Sequence, residues 1–389
     1  MDSFNTLQDR KNTRSVKWDA LENVFNTDDI LPMWVADMDF KAPQAVNYAL
    51  IKRAEHGIYG YTFTDSKVRD SIVHWIKKRF DWDVNEDWLS FSPGVVTTLH
   101  MAIQTFTNPG DNVLIQTPVY PPFYHSIESH GRNIIKNPLH RNGDYYKIDF
   151  KDFRQKLEQD VKVFLLCSPH NPVGRVWKRE ELQKMAELCL DYNVLIISDE
   201  IHADLILDGY KHTPIASLSK EIEKQTITCM APSKTFNLAG LQASYYVIKD
   251  STKRREMEET FSKQGISTLN TMGNIALEAA YRHGEPWLES LLSLLKNHQQ
   301  YVIDMFATHV PELKVIPSEG TYLLWIDCSE LGMNDQTLQT FMIEEAKVGL
   351  NAGSSYGEEG KQFMRMNIAC PRQTLEEGVK RIIHAVKNR

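Results

Sequence analysis

The chain has 389 residues, of which 42% are apolar and 24% are charged, a composition typical of a soluble globular protein with one large and one smaller domain. A formal net charge of −7 argues against a surface that binds nucleic acid or an anionic membrane. No apolar run is long enough to span a bilayer, and the polar start MDSFNTLQDR has no signal core, so we expect a cytoplasmic protein.

Short apolar runs alternate with helical patterns through the middle of the chain. The predicted strands are NVLIQ (112–116), VKVFLLC (161–167), NVLIISD (193–199), TITCM (226–230) and ASYYVI (243–248). Between two of them, residues 179–192 place Leu182, Met185, Ala186 and Cys189 on one face of a helix. Strands that are apolar on both faces and alternate with helices predict an α/β fold, with a largely parallel sheet covered by helices.

A different order of helices and strands follows the last of these strands. A long helical stretch over about 286–309 precedes a strand-like run (320–328), a helix (338–346) and a second strand-like run (363–370). These elements predict a smaller α+β domain. We therefore predict a large domain over 49–285, and a small domain made of 1–48 and 286–389.

The five cysteines indicate a reducing compartment. They are odd in number, widely spaced and mostly inside apolar runs, and they show neither zinc-ligand spacing nor a disulfide framework. We interpret them as reduced core residues and predict no metal site.

Two stretches carry the strongest chemical signals at the ends of predicted elements, where ligands of parallel sheets bind. SPGVVTTLHMAIQTF passes through Gly94 into a helix, whose free amides make either an anion site or part of an ordinary Pro-Gly turn. Lys234 lies between Ser233 and Thr235 just after the strand 226–230. It is either a common loop lysine or an amine that forms a Schiff base with a cofactor aldehyde.

Three further residues have a structural and a functional interpretation each. Tyr120 either packs in a turn or stacks on a flat cofactor. Asn171 either belongs to an Asn-Pro turn or points its amide at a ligand oxygen. Arg365 is either a surface arginine or a planar fork that recognises a carboxylate.

The stretch SDEIHADL ends another apolar strand in polar residues. A carboxylate at the mouth of a buried strand must be solvated, paired or bound to a ligand. Asp199, Glu200 and His202 are an incomplete ligand set for a metal. A single carboxylate that faces a protonated ring nitrogen fits at least as well.

Taken together and in this order, the candidate residues resemble those of the fold-type-I pyridoxal-phosphate (PLP) enzymes, the aspartate-aminotransferase superfamily, over nearly the whole chain. The ordered set is the Gly94 loop, Tyr120, Asn171-Pro172-x-Gly174, Asp199-Glu200, Ser233-Lys234 and Arg365. More narrowly, the chain resembles the MalY/PatB class of cystathionine β-lyases, or C–S lyases. The stretches that carry this resemblance are LPMWVADMDF, HGIYGYT, LLCSPHNPVGRVW, ISDEIHADL, SKTFNLAGL, YGEEG and RMNIACPR.

The resemblance implies roles for the central residues. Lys234 binds PLP as a Schiff base and removes the α-proton of the substrate, and Asp199 pairs with the pyridinium nitrogen. Asn171 hydrogen-bonds the phenolic oxygen of the ring, Tyr120 stacks on the ring, and both face the substrate. Arg365 grips the substrate's α-carboxylate.

The resemblance also implies how the phosphate is held. Its expected ligands are Ser233 and the backbone amides of Gly94, Val95 and Val96. A tyrosine from the partner subunit often reaches this phosphate, and here Tyr61 is favoured over Tyr59. Tyr61 is also a candidate to protonate the departing thiolate. An obligate homodimer with shared active sites follows.

Three departures from the general aminotransferase pattern favour a lyase. His202, which we expect near the cofactor, stands where aminotransferases usually have a tyrosine. Ala231 replaces a phosphate-binding serine, and Gln242 stands where an arginine is common. The lyase class shows similar replacements.

We therefore predict a C–S β-lyase that acts on L-cystathionine, L-cysteine or both, and releases pyruvate, ammonia and homocysteine or hydrogen sulfide. Trp34 and Tyr322 either shape an apolar pocket for the thioether side chain or belong to the core. The alternatives are an aminotransferase with the same lysine and ring, and a PLP-binding regulatory protein without turnover. Methionine synthesis and cysteine breakdown both remain open as the cellular role.

Overall fold

The computed structural model describes residues 4–389, which form helices and strands in alternation. The helices are α1 (Val16–Asp19), α2 (Leu21–Phe25), α3 (Gln44–His56), α4 (Ser66–Phe80), α5 (Val95–Phe106), α6 (Pro121–Glu128), α7 (Phe150–Leu157), α8 (Arg179–Asp191), α9 (Lys220–Lys224), α10 (Pro232–Thr235), α11 (Ser251–Lys263), α12 (Thr271–His283), α13 (Glu285–His309), α14 (Asp335–Glu344) and α15 (Arg372–Lys387). The strands are β1 (Leu31–Pro32), β2 (Leu89–Ser92), β3 (Asn112–Thr117), β4 (Asn133–Pro138), β5 (His140–Asn142), β6 (Tyr145–Lys147), β7 (Val161–Cys167), β8 (Leu195–Asp199), β9 (Thr226–Met230), β10 (Ser244–Val247), β11 (Lys314–Ile316), β12 (Leu323–Asp327), β13 (Val348–Gly349), β14 (Asn351–Ala352) and β15 (Phe363–Asn367).

The centre of the molecule is a seven-stranded sheet in the order β2-β10-β9-β8-β7-β3-β4. All neighbouring strands run parallel except β10, which is antiparallel to both β2 and β9. The predicted α/β fold with a mostly parallel sheet is confirmed.

Alternating side chains of the central strands feed two separate apolar cores. In β7, Val163 and Leu165 pack with α5 and α11 on one face of the sheet, and Phe164 and Leu166 pack with α7 and α8 on the other. Each fully buried side chain of this size stabilises the fold by about 1.5–3 kcal/mol. Because both faces are covered, the strand has no polar alternation, as its sequence indicated.

A second sheet of four antiparallel strands, in the order β11-β12-β15-β14, lies in the C-terminal part of the chain. The N-terminal segment joins this part, because β1 pairs in parallel with β13. The proposed domain boundary after residue 48 falls inside α3, which begins at Gln44. The division into 49–285, and 1–48 with 286–389, stays a prediction, and its residues 1–3 lie outside the described residues.

Two further observations concern the described residues as a whole. The five cysteines are all buried and free. Between residues 4 and 389, every helix is too short or too polar to cross a membrane.

Candidate active site

A cavity of about 190 Å³ opens where β7, β8 and β9 end and α5 begins. It is lined by nine of the residues that the sequence predicted for the site: Gly94, Val95, Val96, Tyr120, Asn171, Asp199, His202, Ser233 and Lys234. These residues are spread over about 140 positions of the chain, and the parallel strands bring them together because their carboxyl ends share one edge of the sheet.

One end of the cavity is built from the first turn of α5. Gly94 is the N-cap, and the backbone N–H groups of the next residues have no partner within the helix. A Cβ atom on Gly94 would meet no protein atom within 4 Å, so the approach to these amides is open. Ser233 also lines the cavity. Free amides at the positive end of a helix fit a phosphate group.

Asp199, the last residue of β8, is a buried carboxyl group with few hydrogen-bond partners. It is 5% exposed, and its Oδ1 accepts a hydrogen bond of 3.1 Å from the backbone N–H of Ile201. Burial raises the pKa of Asp199 to about 7. No side chain within residues 4–389 donates a hydrogen bond to this carboxyl group. A protonated ring nitrogen would supply the missing partner, so Asp199 fits the pyridine nitrogen of PLP.

Lys234 lies in the short helix α10, directly after β9. Its Nζ donates a hydrogen bond of 2.6 Å to the backbone carbonyl of Ala36. Burial and the nearby charge of Arg365 lower the pKa of Lys234 to about 8. A sizeable fraction of the amine is therefore neutral near physiological pH, which is the form that reacts with an aldehyde.

Arg365, on β15, lies beside the cavity and contacts Asn171, which lines it. The Nη1 of Arg365 donates to Asn171 Oδ1 at 3.2 Å, and its Nη2 donates to the carbonyl of Trp34 at 2.9 Å. The Arg365 Nε is buried and has no partner within the described residues. A guanidinium with unused donors next to the cavity fits a carboxylate ligand.

Two ring side chains on the cavity wall are held in one protonation state. Burial raises the pKa of Tyr120 to about 12, so its hydroxyl group stays protonated. Burial lowers the pKa of His202 to about 3, so its imidazole stays neutral. His202 Nδ1 is buried without a partner in the described part of the chain.

Besides Arg365, which lies beside the cavity, three predicted residues do not line it. Trp34 donates from Nε1 to the carbonyl of Lys17 at 3.1 Å, and Tyr322 is buried with its hydroxyl on the carbonyl of Ala36 at 2.8 Å. Tyr61 is fully exposed and lies outside the cavity of its own chain. Its expected contact with the active site of a partner subunit stays a prediction.

Sequence reasoning missed several residues that line the cavity. They are Ala36, Pro93, Thr97, Cys167, Ile201, Ala239 and Ala243. Ala36 contributes a backbone carbonyl, which leaves no trace in the sequence. Pro93 and Thr97 flank the Gly94 loop, so the same loop signal covered their position without singling them out. Within residues 4–389, no group of three or more His, Cys, Asp or Glu side chains is arranged to hold a metal ion.

Known proteins share this architecture and this sequence pattern. The family model of class I and II aminotransferases matches residues 29–382. The cystathionine beta-lyase PatB of Bacillus subtilis is 47% identical over 381 residues, which cover 98% of this chain and 98% of that protein.

Two solved structures superpose on nearly the whole chain. Cystalysin from Treponema denticola, which contains a pyridoxal 5'-phosphate cofactor, has a TM-score of 0.97 and 37% identity, with 99% of this chain and 98% of that chain covered. The PLP-bound C–S lyase from Staphylococcus hominis has a TM-score of 0.92 and 31% identity, with 98% and 97% covered.

Proposed function

Because the chain belongs to the class I and II aminotransferase family, and within it to the PLP-dependent C–S lyases of the MalY/PatB type, we propose that it carries out α,β-elimination on L-cystathionine, L-cysteine or both. The products are pyruvate, ammonia and a thiol, which is homocysteine or hydrogen sulfide. The observation that carries this proposal is that one cavity holds both the amine of Lys234, with a lowered pKa, and the buried carboxyl group of Asp199, with a raised pKa.

When bound, PLP draws electrons away from the substrate's Cα, which makes the α-proton acidic. Asp199 would hold a proton on the pyridine nitrogen, because the carboxylate is stabilised by a cation at that position. Asn171 would donate from its amide to the phenolic oxygen, and Tyr120 would cover the ring face. Ser233 and the first amides of α5 would bind the phosphate, and His202 would add a neutral ring to the site.

The substrate is oriented and deprotonated by two basic side chains. Arg365 binds the α-carboxylate with the donors that it does not use on Asn171 and Trp34. Lys234 removes the α-proton at its Nζ, since burial leaves a useful fraction of that amine neutral. The electron pair from Cα would then form the Cα–Cβ double bond as the C–S bond breaks, and the thiolate would take a proton from Lys234 or from Tyr61. Water would hydrolyse the released enamine to pyruvate and ammonia. Trp34, whose carbonyl accepts from Arg365, and Tyr322, whose hydroxyl donates to Ala36, would border the substrate.

We extend the proposal to the assembly and the compartment. Tyr61 is fully exposed in the single chain, which supports a homodimer in which it completes the site of the partner subunit. The five free, buried thiols support a cytoplasmic location.

The test is an elimination assay on the purified, PLP-loaded protein. We expect L-cystathionine to give pyruvate and a free thiol in equal amounts without any 2-oxo acid, measured through a lactate-dehydrogenase couple and a thiol reagent. L-Cysteine is run beside it with detection of sulfide. The matched control is Lys234→Ala, which removes the amine, with its fold checked by an equal thermal midpoint.

Each alternative outcome has a clear meaning. Amino transfer that appears only after a 2-oxo acid is added would make the protein a transaminase. PLP binding without turnover of either substrate would favour a regulatory protein. Full turnover by Lys234→Ala would refute the assigned base.

A further inference from the structure

The backbone carbonyl of Ala36 accepts two hydrogen bonds at the edge of the cavity. Lys234 Nζ donates to it at 2.6 Å and the hydroxyl of Tyr322 donates at 2.8 Å. A carbonyl oxygen has two lone pairs, so these two donors use its full capacity. Ala36 and Lys234 line the cavity, whereas Tyr322 is 1% exposed and does not line it. The shared carbonyl is therefore the hydrogen-bonded link between Tyr322 and Lys234.

The backbone on both sides of Ala36 is fixed by an asparagine of β15. Asn367 Nδ2 donates to the carbonyls of Val35 and Asp37, in both cases at 2.6 Å. These are the two neighbours of Ala36 in the chain. Since both adjacent carbonyls are held by one buried side chain, the Ala36 oxygen has little freedom to follow a moving partner.

A second asparagine links the same backbone to the loop that carries Lys234. Asn237 follows Lys234 by three residues, and its Nδ2 donates to the carbonyls of Met38 and Phe40 at 2.9 Å each. The N–H of Met38 donates back to Asn237 Oδ1 at 3.0 Å. The acceptor at Ala36 and the lysine loop therefore form one rigid unit.

We propose that the Ala36 carbonyl is the docking point of the Lys234 amine whenever that amine is not bonded to the cofactor, and that Tyr322 is the positioning residue that sets how firmly the amine is held. This inference rests on the proposed function, in which the substrate displaces Lys234 from PLP. The freed amine must stay close to the substrate and must also lose its proton. The fixed Ala36 oxygen keeps the amine in place. The Tyr322 hydroxyl donates to the same oxygen, which weakens the hydrogen bond from the ammonium form of Lys234.

Tyr322→Phe tests this arrangement because it removes one donor and keeps the aromatic ring. The Ala36 oxygen then serves the amine alone, which favours the ammonium form of Lys234. In cofactor-free protein we expect the pH midpoint for acylation of Lys234 to rise by about 0.5 to 1 pH unit. The midpoint is measured by competitive labelling with acetic anhydride over about pH 6 to 10, with the Lys234 peptide quantified by mass spectrometry.

The matched control is Tyr281→Phe, which removes a buried hydroxyl that pairs with Tyr245 at 3.1 Å, away from the cavity. We expect this control to leave the midpoint unchanged. In the PLP-loaded protein we expect Tyr322→Phe to lower kcat by about 5- to 10-fold, with KM changed by less than about twofold. Equal thermal midpoints of the two variants check that the fold survives.

Equal labelling midpoints in wild type, Tyr322→Phe and Tyr281→Phe would overturn the inference. Borohydride reduction of the PLP-loaded protein separates this failure from failure of the proposed function. Reduction that fixes PLP on a lysine other than Lys234 would overturn both the proposed role of Lys234 and this inference. PLP fixed on Lys234 together with an unmoved midpoint would overturn only the role of Tyr322 and Ala36.

Discussion

Asp199→Asn separates the cost of a buried charge from its use in binding the cofactor. Asp199 is 5% exposed, and burial raises its pKa from an ordinary 3.8 to about 7. One pKa unit corresponds to about 1.4 kcal/mol, so ionising this carboxyl group in the cofactor-free protein costs up to about 4 kcal/mol above pH 7.

The sign follows from the upward direction of the shift. The unfolded chain ionises Asp199 at lower pH than the folded chain does, so this group reduces the free energy of unfolding progressively as the pH rises from about 4 to about 7. Asparagine keeps an oxygen for the N–H of Ile201 and carries no charge. We expect the stability of cofactor-free Asp199→Asn, relative to wild type, to increase by about 2–3 kcal/mol between pH 5 and pH 8.

Asp199→Asn should stabilise the cofactor-free protein but weaken its binding of PLP. The variant loses a charge-assisted hydrogen bond to the ring, worth about 1.5–3 kcal/mol, so Kd for PLP should rise by about 10- to 150-fold. We expect kcat to fall as well, because nothing then keeps the ring nitrogen protonated.

The assays are guanidinium unfolding of cofactor-free protein at both pH values and titration with PLP followed by tryptophan fluorescence. Asp208→Asn is the control, because Asp208 is an exposed carboxylate paired with Lys296 at 2.7 Å on the surface. A stability difference that does not change with pH would refute the buried charge. Unchanged PLP affinity would refute the pairing with the ring.

Three further changes have expected outcomes. Arg365→Lys loses the planar fork, so we expect kcat/KM for L-cystathionine to fall about 10- to 100-fold in steady-state assays, and an unchanged value would contradict carboxylate binding. The rate of PLP incorporation into cofactor-free protein, followed by stopped-flow absorbance, should rise with pH, reach half of its maximum near pH 8 and level off above that, because the pKa of Lys234 is lowered to about 8 and only the neutral amine reacts. A pH-independent rate would exclude Lys234 as the reacting group. Gly174→Ala should destabilise the fold by about 2–4 kcal/mol in guanidinium unfolding, because φ is +73° and the new Cβ would lie 2.8 Å from the Cβ of Ser318. Its control Gly143→Ala, with φ +65° and no atom within 4 Å, should cost only about 1 kcal/mol, and equal losses would disprove the clash.

The sequence predicted the sheet well because its central strands are buried on both faces. Residues 161–167, predicted as a strand, form β7 with the same bounds, since no solvated face interrupts the apolar run. The antiparallel direction of β10 was not predictable, because a buried apolar run carries no record of which way the strand points. The bounds of β8 and α14 also moved by a few residues. For α14 the reason is local capping, since the side chain of Asn334 begins the helix before the expected residue.

The candidate site was predictable where its chemistry resides in side chains. Asp199 ends one apolar strand, and Asn171 and Lys234 each lie four residues beyond the end of another, a placement that is visible in the sequence. Ala36 was not predictable, because its contribution is a carbonyl that every residue has. The hydrogen bond of the Tyr322 hydroxyl was not predictable for the same reason, because its acceptor is that carbonyl.

Burial in one cavity shifts the pKa values of both Asp199 and Lys234 in the directions that PLP binding requires. Burial disfavours charge on any group, so it raises the pKa of Asp199 to about 7 and lowers the pKa of Lys234 to about 8. Near neutral pH the carboxyl group can therefore donate its proton to a pyridine nitrogen, and part of the lysine is already the free amine that an aldehyde requires. A surface aspartate would already have lost that proton, and a surface lysine would be an ammonium, which does not react with an aldehyde. The cost of burying two ionisable groups without full compensation is thus the same property that makes the cofactor-free protein ready to bind PLP.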